Sequence, residues 1–323
     1  MKWYLAALVA LPVVCFAAPP ELPHVRDLVA GLPFTPEQAD TVTAGGIVVT
    51  PVVPVAEGEL AIGLACLAEK DNMALATTLP SGRWLLPEDN VQATGILEEE
   101  PGGEAFAAIQ GLVQGSEAVR YSRAGPGEDL NLSAGELDRI GAAGDARPKV
   151  VHDLLIERYR AYRNAGTSAT EPYARSRGTV VDPGSDLRQS TTESIGVKAY
   201  FPAMHETLLR YPERAPAVAE EGFHWITAQL GKREAVLLTH ALSMRSDMAE
   251  IVVARAYYIS HSLNALQAFI VLAPVTEGTL FLYVYRVWLD RVRGFGGTFA
   301  AGIARDLMTR EMQELARRTG ACD

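Results

Sequence analysis

The stretch 223–289, FHWITAQLGKREAVLLTHALSMRSDMAEIVVARAYYISHSLNALQAFIVLAPVTEGTLFLYVYRVWL, decides how this chain folds. Its Val, Ile, Leu, Tyr and Phe residues gather in runs that suit a pleated, half-buried surface. Phe223–Leu230 leads into Glu234–Ser243, and Ile251–His261, Ala265–Ala273 and Thr279–Leu289 follow. Turn-forming segments at Arg245–Glu250, Ser262–Asn264 and Val275–Gly278 predict antiparallel pairing of neighbouring runs. Beyond them, from about Thr298 to Thr319, Ala300, Ile303, Ala304, Leu307, Met308, Met312 and Leu315 recur at helical spacing. Arg305, Asp306, Arg310, Glu311, Glu314, Arg317 and Arg318 fall elsewhere on that wheel. The pattern predicts an α+β fold, a curved antiparallel sheet closing on a long C-terminal helix and leaving room for a cavity.

Outward from this stretch, the middle third is helical. Ser133 and Glu136 form a capping-box pattern, and Val151, Leu154, Leu155, Arg158 and Tyr159 mark a helix over Pro148–Asn164 that stops at Gly166. After a turn at Asp182-Pro183-Gly184, helical pattern resumes over Leu187–Leu209, interrupted near Gly196 and Pro202, and ends at Tyr211-Pro212. Residues 133–211 thus read as a helical insertion in a β-rich chain. Earlier, a short helical piece near Pro36-Glu37 precedes two β-like runs, Ile47–Val55 and Glu59–Leu67, and Pro51 and Pro54 make the first an edge or irregular strand. Glu69–Leu79 has helical character, Trp84, Leu85 and Leu86 read as packing residues, and Val91–Leu97 as a further strand.

The N-terminus has the layout of a cleaved secretory signal: Lys2, an apolar core over Leu5–Phe16, then Ala17 and Ala18 before Pro19-Pro20. Cleavage after Ala17 leaves one domain over 18–323 and points to a periplasmic or secreted protein. Only Cys66 and Cys322 then remain; they could bridge in an oxidising compartment, but two cysteines do not make a disulfide framework. Cys66 lies in an apolar run and reads as a buried, inert thiol. A net charge of -10 argues against nonspecific nucleic-acid binding, which needs Lys and Arg to neutralise phosphates.

The common catalytic signatures are missing: there is no Gly-x-Ser-x-Gly, no phosphate-binding Gly-Lys-Ser/Thr loop, no His-Glu-x-x-His and no Cys-x-x-Cys. Gly294-Phe295-Gly296-Gly297 reads as a tight strand-to-helix turn, and His152-Asp153 and His205-Glu206 as ordinary helix polar pairs. No histidine has a ligand partner at metal spacing, so neither metal nor cofactor is expected. The sheet is more pointed. With the turns above, His240 is expected opposite Arg255, and Ile270 opposite both Tyr257 and Tyr283. Alternation then gathers His240, Arg255, Tyr257, His261, Ile270, Tyr283 and Tyr285 on one apolar face. A large apolar surface with a few convergent polar groups is the composition of a ligand pocket; a packed core is the plain alternative.

Several pieces carry a resemblance. They are Tyr200-Phe201-Pro202-Ala203-Met204-His205, Leu209-Arg210-Tyr211-Pro212, Phe223-His224-Trp225, Leu238-Thr239-His240, Tyr257-Tyr258-Ile259-Ser260-His261, and Tyr285-Arg286 with Asp290 and Arg293-Gly294. They are similar to a group of secreted bacterial proteins with no assigned activity, and the match spreads over most of the mature chain. Strand order and final helix resemble the START-like, or Bet v 1-like, helix-grip superfamily (SRPBCC). That resemblance implies binding of lipids, sterols or other hydrophobic molecules in a cavity between sheet and helix. The helical insertion departs from a plain helix-grip domain.

The expectation is therefore a periplasmic binding or carrier protein for an apolar small molecule, a lipid or isoprenoid, lined by the seven residues above, with transient membrane contact allowed. The alternatives are an enzyme of hydrolase or cyclase type using His240 or His261 in the same cavity, and a structural or partner-binding envelope protein with a filled core.

Overall fold

The computed structural model describes residues 22–29, 32, 34–68, 83–99, 115–127, 129–246, 249–290, 308–310, 312–314, 316–317 and 322. The fold is α+β, built on an eight-stranded antiparallel sheet. Its long meander is β6 Val218–Leu230, β7 Arg233–Arg245, β8 Glu250–Ile259, β9 Ala265–Val275 and β10 Gly278–Trp288. Three earlier strands complete it: β1 Val48–Pro51, β2 Glu59–Ala68 and β3 Val91–Ile96. The order β1-β2-β10-β9-β8-β7-β6-β3 sets an early strand beside the last one. Pro51 closes β1 at the sheet edge, where a residue lacking an N–H removes no ladder bond. A small separate pair is formed by β4 Tyr173–Ala174 and β5 Val180–Val181.

Helices cover one face of the sheet. α1 Val25–Val29 and α2 Pro36–Thr43 precede β1, α3 Gly115–Ser122 follows β3, and the inserted block contributes α4 Ala134–Ala142 and α5 Arg147–Ala165. It ends with α6 Pro183–Thr192, α7 Ile195–Tyr200 and α8 Pro202–Arg210. The start of α4 is the expected capping box: Ser133 Oγ accepts from the Glu136 N–H, and the Glu136 carboxylate accepts from the Ser133 N–H. α5 stops at Gly166, whose φ is +61°; a Cβ there would sit 2.4 Å from the Tyr211 carbonyl oxygen, so glycine allows this close approach. Among the described residues no helix is long and apolar enough to cross a membrane.

The two faces of the sheet bury different partners. On one, Ile62, Cys66, Leu237, Ala254, Ile270 and Tyr283 pack with Trp84, Leu85, Leu86, Met312, Ala316 and Cys322. On the other, Phe223, Trp225, Leu238, Tyr257 and Tyr258 pack under Leu155, Tyr159 and Tyr162 of α5. Farther along that face, Leu242, Val253 and Phe269 meet Phe201, Met204 and Leu208, and Ala65, Ala273 and Leu280 meet α1 and α2. Apolar burial on both faces explains why strands such as β8 are apolar almost throughout instead of alternating.

Two sequence-based expectations are corrected. His240 does pair with Arg255, and Ile270 with Tyr283, but Ile270 lies opposite Val252 and not Tyr257. The pairing of β8 with β9 stops at Ala256–Leu266, and the ladder between β8 and β7 carries a bulge, Leu238 opposite Tyr258 and Thr239 opposite Ala256. The β8–β9 connection is therefore wide, held open by Asn131, whose Nδ2 donates to the carbonyls of Ile259 and Leu263. An odd displacement of register exchanges faces, so β9 and β10 present the opposite residues from those expected.

The second correction concerns Cys66, which is not a free thiol: it is joined to Cys322 in a disulfide, with a Cα–Cα distance of 6.0 Å. Sequence spacing of 256 residues hides such a pair. The leader-like segment 1–17, the helical run 69–79, the turn 294–297 and most of the helix expected over 298–319 lie outside the described residues. Within that last run, 308–310, 312–314 and 316–317 are helical. A cross-link between residues so distant in sequence restricts the unfolded chain strongly. Replacing both cysteines by alanine is expected to lower stability by about 2–5 kcal/mol, read as the urea midpoint with and without a reducing agent; a midpoint unmoved by either would refute this.

Candidate functional site

A cavity of about 890 Å³ opens on the face that holds the C-terminal residues. Its apolar wall comes from Leu85 and Leu86, from Tyr283 and Tyr285 on β10, from Leu263 in the β8–β9 connection, and from Met308 and Met312. Tyr283 reaches this face because β10 alternates; its hydroxyl donates to the Trp84 carbonyl at 3.3 Å, and the two rings meet edge to face. That contact anchors the 83–86 segment over the sheet.

One end of the cavity is polar. Arg120, Asp129, Asn131, Lys232, Arg233, Asn264 and Asp290 line it. Arg233 donates to both oxygens of Glu117, at 3.0 and 2.8 Å, and to the Asp129 carbonyl at 3.0 Å. Arg120 also contacts Glu117, at 3.4 Å. Burial by itself would raise the Glu117 carboxyl, but the hydrogen bonds and charge of Arg233 outweigh it and hold the group below the usual carboxylate range. Beside this pair, Arg175 donates to Asp290, Asn131 and Asn264 at 2.7–2.8 Å, while Asn264 Nδ2 donates to Asp290 at 2.9 Å. The helical block and the end of β10 are thereby tied together at the cavity's polar end.

Of the seven residues that the sequence groups together, Tyr283 and Tyr285 line this cavity, and Ile270 is buried on the same face without lining it. His240, Arg255 and Tyr257 sit on the opposite face, beneath α5 and α8. His261, past the end of β8, is buried between Ser262 Oγ at 2.7 Å and the Glu234 carbonyl at 2.8 Å. Neither histidine lines the cavity. Arg120 and Arg233 complete the polar end but carry no signal as a pair, being far apart in the sequence, whereas Met308 and Met312 belong to the apolar stripe read at helical spacing. The Leu85-Leu86 pair was legible as apolar packing.

The displaced trio forms its own buried network. His240 stacks on Phe223 and is held between Tyr162 Oη and Glu221, each at 3.1 Å. Arg255 donates to Gln267 Oε1 at 2.5 Å, Thr191 Oγ1 at 2.6 Å and the Leu208 carbonyl at 2.8 Å near the end of α8. Those acceptors are neutral, and burial lowers the Arg255 pKa from its ordinary value. Such an arrangement braces the helical block against the sheet. Among the described residues, no group of three or more His, Cys, Asp or Glu is placed to hold a metal ion.

Burial pushes the His240 pKa down to about 4, against the pull of Glu221 toward the charged form. In the unfolded chain the group titrates near 6.5. As pH falls below that value the unfolded state takes up the proton first, so stability present at pH 7 is lost, by about 2 kcal/mol at pH 5. His240→Gln, which cannot charge, is expected to lose correspondingly less between those two pH values in urea titrations; equal losses in both proteins would exclude His240 as the source. Glu221, also held below the ordinary carboxylate range, acts at still lower pH. No protein-family model and no curated protein matches the sequence, so the site rests on its own geometry.

Proposed function

We propose that this chain is a binding or carrier protein for an apolar small molecule with a polar end, such as a lipid or isoprenoid, held between the sheet and the C-terminal residues. The observation that carries the reading is the cavity itself, apolar around Tyr285, Met308 and Met312 and polar around Arg120, Arg233 and Asp290. Its volume lies within the roughly 300–1,000 Å³ common for small-molecule sites. Burying on the order of 400 Å² of ligand hydrocarbon would supply about 10 kcal/mol before the costs of association, enough for useful affinity. The pairing of β2 with β10, and the burial of Met312 and Ala316 against the same face as Ile270, support the helix-grip resemblance. The leader-like segment 1–17 supports a periplasmic or secreted location.

The enzymatic alternative called for His240 or His261 in the cavity, and neither is among its lining residues. A filled core is disfavoured by the volume of the space. Native mass spectrometry of the purified full-length chain tests the proposal. A bound small molecule, released by organic solvent, is expected on the wild-type protein and at least tenfold less on Met308→Trp, which fills the cavity from the C-terminal side. A mass equal to the polypeptide alone, together with no uptake of an added long-chain lipid, would overturn it.

A further inference from the structure

A second cavity, of about 760 Å³, lies on the other face of the sheet and plays no part in the function proposed above. Phe34 after α1, Val197 and Phe201 from α7 and its end, and Phe269, Val271 and Leu282 from β9 and β10 wall it. Around its mouth the chain leaves large apolar side chains in solvent: Val53, Ile195 and Tyr200 line the cavity and are exposed, and Leu22 is exposed beside the lining residue Pro23. They account for four of the seven exposed large hydrophobic residues among those described, so the apolar exposure is concentrated and not scattered.

Besides the hydroxyls of Thr50, Ser194 and Ser246, the lining has one buried charged group. Glu193 and Arg286 are the charged residues of the described lining, and Glu193 is solvent-exposed. Arg286 is 5% exposed and donates from Nη1 to Glu59 Oε1. The other Glu59 oxygen accepts from the N–H groups of Val55 and Ala56, so the carboxylate is occupied and the ion pair is internally neutral. The Nε–H of Arg286 nevertheless has no partner. A buried donor left unmatched is costly, and a site with a single unmatched donor selects a molecule bringing a single acceptor. A carboxylate or phosphate would bring a charge that the already neutralised Arg286–Glu59 pair does not balance in an apolar space.

We propose that this second cavity binds a neutral, largely hydrocarbon molecule, a long-chain or isoprenoid alcohol or ketone, whose one oxygen accepts from Arg286 Nε–H while its chain lies between α7 and β9–β10. The site is separate from the cavity at the C-terminal residues and takes a different chemical class: an uncharged molecule with one acceptor, and not an amphiphile with a head matched to arginines and aspartates.

Photolabelling of the purified full-length protein with a diazirine-bearing hexadecanol tests this. Labelled residues are expected within 195–201 and 269–273. Unlabelled hexadecanol is expected to suppress the label at concentrations about tenfold below those needed with hexadecanoate at pH 8, the charge penalty setting the gap. Val271→Trp, which fills the cavity from the sheet, is expected to abolish that labelling, while Met308→Trp keeps it. Wild-type labelling confined to Tyr285, Met308 or Met312 would assign the alcohol to the other cavity and overturn the inference. No labelling above background, or equal suppression by hexadecanoate, would overturn it too. The wild-type measurements decide the matter even if Val271→Trp does not fold.

Discussion

Two adjacent tyrosines on the same side of one strand set the arrangement of half the molecule. At the bulge in β8, Tyr257 and Tyr258 both turn toward the helical block, where alternation would have sent one of them the other way. Each has a partner waiting: Tyr162 stacks on Tyr257 with ring centroids 3.8 Å apart, and Arg158 lies over Tyr258 at 4.3 Å. Pairing with β9 cannot continue through the bulge, so the β8–β9 connection spreads and Asn131 fills the gap with backbone hydrogen bonds. Everything C-terminal to it takes its face from that decision, including the tyrosines of β10 that line the larger cavity.

The same helical block is fastened by buried charge. Arg158 pairs with Glu136, Arg175 with Asp290, and Arg255 with neutral acceptors on α6, β9 and the end of α8. Removing ions from water is expensive, and the burial of apolar surface supplies the non-directional attraction between these layers. What the fixed hydrogen-bond geometry adds is one particular placement of helices over strands. Breaking one partner of such a pair leaves an unmatched buried charge, so substitutions here act on the packing of the layers before they act on any ligand.

Much of this was legible from residue pattern. The five strands of the meander begin and end within a few residues of the apolar runs, and β7 and β10 keep the partners expected for His240 and Ile270. The insertion was visible because its cues are local: a Ser–Glu box, an apolar stripe in α5, a stop at Gly166. The lining of the candidate cavity was legible only in part. Tyr283 and Tyr285 line that cavity, whereas His240, Arg255 and Tyr257 brace the opposite face, because a bulge is a tertiary accommodation that no spacing rule marks. The disulfide was the less favoured of two readings for a related reason. Cys66 looks like any small core residue until the fold brings Cys322 beside it.

β10 is a partition wall one peptide thick. Its odd-numbered tyrosines, Tyr283 and Tyr285, look into one chamber, and its even-numbered Leu282, Val284 and Arg286 look into the other. A single-residue insertion or deletion between its opening glycine and Leu282 would turn the wall inside out. A lone arginine would then face the roomier chamber, and two phenols would face the oily one. The chemical identity of both compartments is therefore carried by the counting of residues along one strand.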